Sequence, residues 1–209
     1  MLRVTIQGIT FYTGPAYEAV AIAESFLQEN MLHVIGTITT KNIAAMRRDE
    51  IVRRHLEHLD LSVFGEIGAL RAADADTPSL MQEVRNRTFF HSFLESLEKN
   101  HRKLYLLSDD REKLEHLKRD LEETAPRLPC IGEYVLEEQV ADADIIVNEI
   151  NGAAPDVVLS VIDSPGAEHF FATQSRKLGV RLWYEIGEFE KMYKKNHQSS
   201  SFFRRFALK

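Results

Sequence analysis

Cysteine is almost missing from these 209 residues: the single Cys130 permits no intrachain disulfide and no zinc-thiolate cluster. A secreted disulfide scaffold and a zinc ribbon are therefore excluded, and a reducing compartment is expected. No apolar run approaches the roughly 18–20 residues of a spanning helix, and residues 1–8 show neither an apolar core nor a small-residue cleavage site. A cytoplasmic location is the expectation. No G-x-x-x-x-G-K-[ST] stretch occurs, which removes a P-loop nucleotidase, and no Ser-His-Asp or Cys-His spacing points to nucleophilic hydrolysis. Repeats and low-complexity tracts are also missing, and only residues 198–201 have the composition of a linker.

Hydrophobic residues make up 44% of the chain, with 12 Phe, 6 Tyr and 1 Trp, enough for a sizeable core in one domain. The net charge of -6 argues against a nucleic-acid partner, but it is unevenly spread. Six of the 26 Lys and Arg lie in residues 191–209, which hold no acid, so the 32 acids face 20 cations in residues 1–190. The chain thus divides into an α/β domain, 1–190, and a basic aromatic tail, 191–209. Phe202, Phe203 and Phe206 beside Arg204, Arg205 and Lys209 combine apolar anchors with positive charge, as an interfacial segment requires. Two destinations suit that tail: an anionic membrane surface, or a groove on the acidic body or on a neighbouring subunit of a homo-oligomer.

Hydrophobic periodicity predicts strands at residues 2–7, 31–37, 61–64, 104–107, 130–131, 157–162 and 180–184. Helical patterns fall between them at 15–28, 42–58, 79–97, 111–123, 136–150 and 166–178. The first three segments read as a β-α-β unit. The whole alternation predicts a single Rossmann-like α/β domain, a mostly parallel sheet with helices on both faces. Such sheets bind ligands at the carboxyl ends of their strands. The segments there are rich in Thr, Ser, Asp, Glu and Gly, and although each also suits ordinary helix capping, their convergence on one edge marks a candidate site. Gly65-x-x-Gly68 has the context of a phosphate contact at a helix start. His55 and His58 have a metal-ligand spacing, but Arg53, Arg54 and Glu57 around them predict a solvated face, and no metal or cofactor is expected. Asp142 and Asp144 read as surface carboxylates, and Cys130 as a small core residue.

Several strand-end stretches can be read together: Arg3-Val-Thr-Ile-Gln-Gly-Ile, Lys103-Leu-Tyr-Leu-Leu-Ser-Asp109, Gly132-Glu-Tyr134, Ile150-Asn-Gly-Ala-Ala-Pro-Asp-Val-Val-Leu159, Val161-Ile-Asp-Ser-Pro165-Gly166-Ala167-Glu168 and Ile186-Gly187-Glu-Phe189-Glu190. In order and spacing they resemble the WecG/TagA/CpsF glycosyltransferases over almost the whole chain. The resemblance implies an inverting transfer of an N-acetylmannosamine-type sugar from a UDP donor to a polyprenyl-diphosphate-linked acceptor, in cell-surface polysaccharide synthesis. By the same resemblance Glu66 is the expected base, Arg85 or Arg87 the diphosphate contact, and Ser108, Tyr134 and Ser164 the nucleoside pocket. Thr39, Asp109, Pro165, Glu168 and Gly187 complete the implied substrate-binding set, and Thr39, Glu66, Ser108 and Ser164 are expected to border one cleft.

Departures from the family pattern fall within these motifs. Thr37-Ile-Thr39 stands where the family has Thr-Val-Asn, and Phe64-Gly65-Glu66 where it has Pro-Asp-Gly. Gly166 and Ala167 replace a Lys and a Gln, and Glu83 replaces an Arg. Cations are what a departing diphosphate needs, so weak UDP-sugar binding is expected. An alternative follows: a catalytically inactive homologue that serves as a sugar-nucleotide-binding or partner protein.

Overall fold

The computed structural model describes residues 2–136 and 143–187. The basic tail and Asp142 lie outside the described residues. The chain opens with a hairpin of β1 (Arg3–Ile6) and β2 (Ile9–Tyr12), paired antiparallel with Ile6 opposite Ile9. This corrects the expected β-α-β start, because β1 never joins the main sheet. The reversal is set by Gln7 and Gly8, with φ of 51° and 87°, the left-handed pair that a two-residue hairpin turn demands. Tyr12 N donates to Ser62 Oγ at 2.7 Å, which ties the hairpin to the edge of the main sheet.

That sheet has six strands: β3 (His33–Ile38), β4 (Leu61–Phe64), β5 (Leu104–Ser108), β6 (Cys130–Val135), β7 (Val157–Val161) and β8 (Leu182–Glu185). Their order is β4-β3-β8-β7-β5-β6, and every neighbouring pair is parallel. The expected parallel α/β architecture is therefore the observed one. Alternation along each strand supplies both faces of the core. Leu104 and Leu106 point to a face covered by α1 (Ala16–Phe26), α6 (Thr88–Lys99) and α7 (Arg111–Thr124). Tyr105 and Leu107 point to the other, under α8 (Ala143–Ala153) and α9 (Gly166–Gln174).

Two predicted helices are each broken. Residues 42–58 form α2 (Thr40–Ala45) and α3 (Glu50–Glu57), because Asp49 accepts from Ile51 N and Val52 N and starts a new helix. Residues 79–97 form α5 (Pro78–Arg85) and α6, separated where Arg87 takes φ of 51°. A short α4 (Ile67–Ala72) precedes them. Helix α8 is described from Ala143 to Ala153, and residues 137–142 of the helix predicted at 136–150 lie outside the described residues. Cys130 is exposed at the start of the edge strand β6, which corrects its assignment to the core: an edge strand has one neighbour and fewer layers over it.

The connections fix where a ligand site can form. After β5 the chain turns into α7 on the first face, whereas after β7 it turns into α9 on the second. Because β5 and β7 are neighbours, their outgoing loops diverge, and such a switch point at the carboxyl edge is where sheets of this kind form a ligand crevice.

Candidate functional site

At this crevice Asp109 and Asp163 meet two lysines. Lys113 Nζ lies 2.8 Å from Asp109 Oδ1 and 3.2 Å from Asp163 Oδ1, and Asp109 Oδ2 accepts from Asp163 N at 2.9 Å. Lys41 Nζ reaches Asp163 Oδ2 from α2 at 3.4 Å, so the ends of β3, β5 and β7 are joined by one charge network. Burial works to lower the Lys113 pKa, but its two carboxylate partners outweigh that and hold it above the ordinary lysine value.

The hydroxyls expected in this region face other tasks. Ser108 is fully buried; its Oγ donates to Asp110 O at 2.7 Å and accepts from Asp110 N at 3.1 Å, closing the turn before α7. Ser164 Oγ donates to Glu168 Oε1 at 2.7 Å inside the protein. Pro165 is the N-cap residue of α9. Tyr134 is half-buried on β6 opposite Leu107 and packs against the second-face core.

Around β3, β4 and β8 a second group assembles. Thr39 caps α2 in a box in which Thr39 Oγ1 accepts from Asn42 N and Asn42 Oδ1 accepts from Thr39 N. Gly187, at φ of 73°, lies beside it: a Cβ there would stand 3.8 Å from Thr39 Cγ2. The Glu66 carboxylate accepts from Thr40 N, tying the outlet of β4 to the start of α2. Thus Thr39, Glu66 and Gly187 are brought together, Asp109 joins the crevice network, and Ser108 and Ser164 are turned inward. Arg85 is exposed at the end of α5.

A cleft opens beside this second group, under the hairpin and α5. Its wall includes Tyr12, Thr37, Glu83, Arg87, Phe89 and Tyr184, and its volume is about 70 Å³. Arg87 pairs with Asp120 of α7 and its guanidinium stacks 4.3 Å over the Phe90 ring. Glu83 accepts from Ala16 N at 3.0 Å, which places a carboxylate at the start of α1.

Behind the edge, on the second face, a buried polar cluster was not legible in the sequence. His55 is 8% exposed and its Nε2 lies 2.8 Å from Glu185 Oε2, while Trp183 Nε1 donates to Glu185 Oε1 at 3.1 Å. This corrects the solvated-face reading for His55, because α3 packs against α9 and turns that imidazole inward against Phe171, whereas His58 stays exposed. Glu168, 2% exposed, faces the same cluster; burial first and the Glu185 charge second raise its pKa. For His55, burial works to lower the pKa, but the Glu185 charge and hydrogen bond outweigh it and the net shift is upward. Both groups are thus better protonated in the folded state. Their contribution is present below their unfolded pKa values, roughly 4.3 for Glu and 6.5 for His, and is lost as pH rises through the raised folded values. His55→Gln should cost about 1–3 kcal/mol near pH 6, and the gap to the unmodified protein should narrow toward pH 9. Urea unfolding at both pH values checks this, and a constant gap would contradict it.

Among the described residues no group of three or more His, Cys, Asp or Glu is arranged to hold a metal, and no helix is long and apolar enough to cross a membrane. A parallel sheet with helices on both faces and a polar crevice at its switch point defines a Rossmann-like α/β protein. No curated protein matches this sequence significantly. The family model for the glycosyl transferase WecG/TagA/CpsF family, however, spans residues 4–208, and the chain belongs to that family.

Proposed function

We propose that this protein keeps the glycosyltransferase fold and serves as a non-catalytic binding or partner member of its family, without transfer from a UDP-sugar. The observation that carries the reading is Glu83, whose carboxylate lies in the cleft wall, anchored on Ala16 N. A departing diphosphate needs preorganised cations, and an anion in the wall opposes it. The surroundings support this: Arg87 is paired with Asp120, and Lys41 and Lys113 are paired with Asp109 and Asp163. Gly65 offers no carboxylate, and Gly166 and Ala167 bring no polar side chain to the first turn of α9.

A second reading is favoured by Glu66, half-buried at the outlet of β4 and one residue past Gly65. In it, Glu66 deprotonates an acceptor hydroxyl that attacks the anomeric carbon as UDP leaves, with a lipid-linked acceptor presented at a membrane contacted by the tail. Release of UDP from UDP-N-acetylmannosamine, with a polyprenyl-diphosphate-linked sugar as acceptor, separates the readings. The expected result is no release above the enzyme-free rate. Release that Glu66→Gln abolishes, with donor binding unchanged, would overturn the non-catalytic reading and establish Glu66 as the base.

A further inference from the structure

The buried cluster behind the crevice holds more acid than base. Its ionisable members come from three elements: His55 from α3, Glu185 from β8 and Glu168 from the first turn of α9, at 8%, 7% and 2% exposure. Phe171, one turn along α9 from Glu168, sets its ring edge-on to His55 at 5.2 Å and tilts over Trp183 at 5.6 Å, so one face of α9 meets both α3 and the sheet. The Glu185 carboxylate is held by His55 Nε2 on one oxygen and by Trp183 Nε1 on the other. The Glu168 carboxyl receives neutral donors, the Ser164 hydroxyl at 2.7 Å and its own backbone N–H.

Charge counting then decides the protonation. One imidazolium offsets one carboxylate, and a second ionised carboxyl in the same buried space is a charge without a partner. The positive end of the α9 dipole favours an anion at Glu168, but burial and the Glu185 charge outweigh it and raise the Glu168 pKa. Other groups packed on α9 are engaged elsewhere or apolar. Helix α8 meets it with Ile146, Val147 and Ile150, and at the outer seam His169 Nε2 lies 2.6 Å from Asp49 Oδ2. At the crevice end, Lys41 and Lys113 are paired with Asp163 and Asp109.

This cluster is joined to the crevice by one short stretch. Asp163 N donates to Asp109 Oδ2 at 2.9 Å and Asp163 O accepts from Ala167 N at 3.1 Å, while Ser164, the next residue, is docked on Glu168. Residues 163–168 thus run from the crevice wall to the buried cluster.

We propose that Glu168 is a proton-operated latch on the crevice wall: as the neutral acid it seats the first turn of α9 against His55 and Glu185, and its ionisation drives that turn toward water and releases Asp163 from Asp109. The sign follows from linkage: the seated state is complete below the ordinary glutamate pKa and is lost as pH rises through the raised folded value. Loss of the His55 proton at higher pH acts in the same direction, since it removes the cation. The latch governs the shape of the crevice whether or not a sugar is transferred there.

NMR on the full chain, in a series from about pH 5 to about pH 9, tests it, and the Glu168 carboxyl carbon should titrate above the ordinary glutamate value of about 4.3. Amide protection at Asp163 and at residues 167–171, corrected for the intrinsic pH dependence of exchange, should fall about tenfold for each pH unit by which that pKa is raised. Protection at residues 93–97 of α6 should not fall with it. Glu168→Gln, which keeps the shape and stays neutral, should hold the α9 and Asp163 amides at their protected level throughout. A Glu168 carboxyl that titrates as an exposed glutamate overturns the latch, and that measurement needs no variant to fold. An unchanged pH dependence in Glu168→Gln, or an equal loss in α6, overturns it as well.

Discussion

Asp120→Ala should lower stability by about 3–5 kcal/mol, the usual cost of leaving one member of a buried ion pair without its partner. The Arg87 and Asp120 side chains are 7% and 10% exposed, so solvent replaces little of the lost interaction. For a domain of this size such a loss corresponds to a fall in Tm of roughly 6–20 °C. The pair also joins the start of α6 to α7, next to the Phe90 ring over which the guanidinium lies. Replacing both members together, Arg87→Met with Asp120→Leu, should recover much of the stability, because no charge is then left buried. Thermal unfolding of the single and double variants checks the prediction. A single variant within 1 kcal/mol of the unmodified protein would show that water reaches the guanidinium.

Trp183→Ala should be about as costly, roughly 3–5 kcal/mol. The indole is fully buried in β8, with Phe170 stacked at 5.9 Å and Phe171 tilted at 5.6 Å. Truncation opens a cavity between β8 and α9 and also removes the donor to Glu185 Oε1, which leaves that carboxylate with His55. Trp183→Phe, which fills most of the space but cannot donate, separates the two terms. Denaturant unfolding should place it between the unmodified protein and the Ala variant, and equal losses for Phe and Ala would assign the whole effect to the hydrogen bond.

The strands of the main sheet were legible because a strand covered on both faces is apolar throughout, as in Leu104–Leu107 and Val157–Leu159. The hairpin was not, because Gln7-Gly8 is a weaker turn signal than Asn-Gly or Asp-Gly and its strands are only four residues long. The helix breaks at Asp49 and Arg87 were hidden by apolar periodicity that continues across them. Among the candidate site residues, Glu66, Asp109 and Gly187 were marked by their place after strands. Glu83 stood out only as a departure from the family pattern, and its anchorage on Ala16 N depends on a residue 67 positions away.

The sequence by itself determined the alternation of strands and helices, the apolar faces, the acidic body with its basic tail, and the edge at which polar residues collect. These follow from local spacing and composition, which act within a few residues. Only the tertiary structure decided the strand order, the divergence of the loops after β5 and β7, and which charges cancel. His55 illustrates the difference: its neighbours in sequence are Arg54 and Leu56, while its chemical partner is Glu185, 130 residues on. Whether a polar side chain faces a ligand, closes a turn as Ser108 does, or neutralises another group as Asp120 does is set by partners that the crossovers bring together. Local pattern carries no record of those pairings, because each is a property of two distant segments packed face to face.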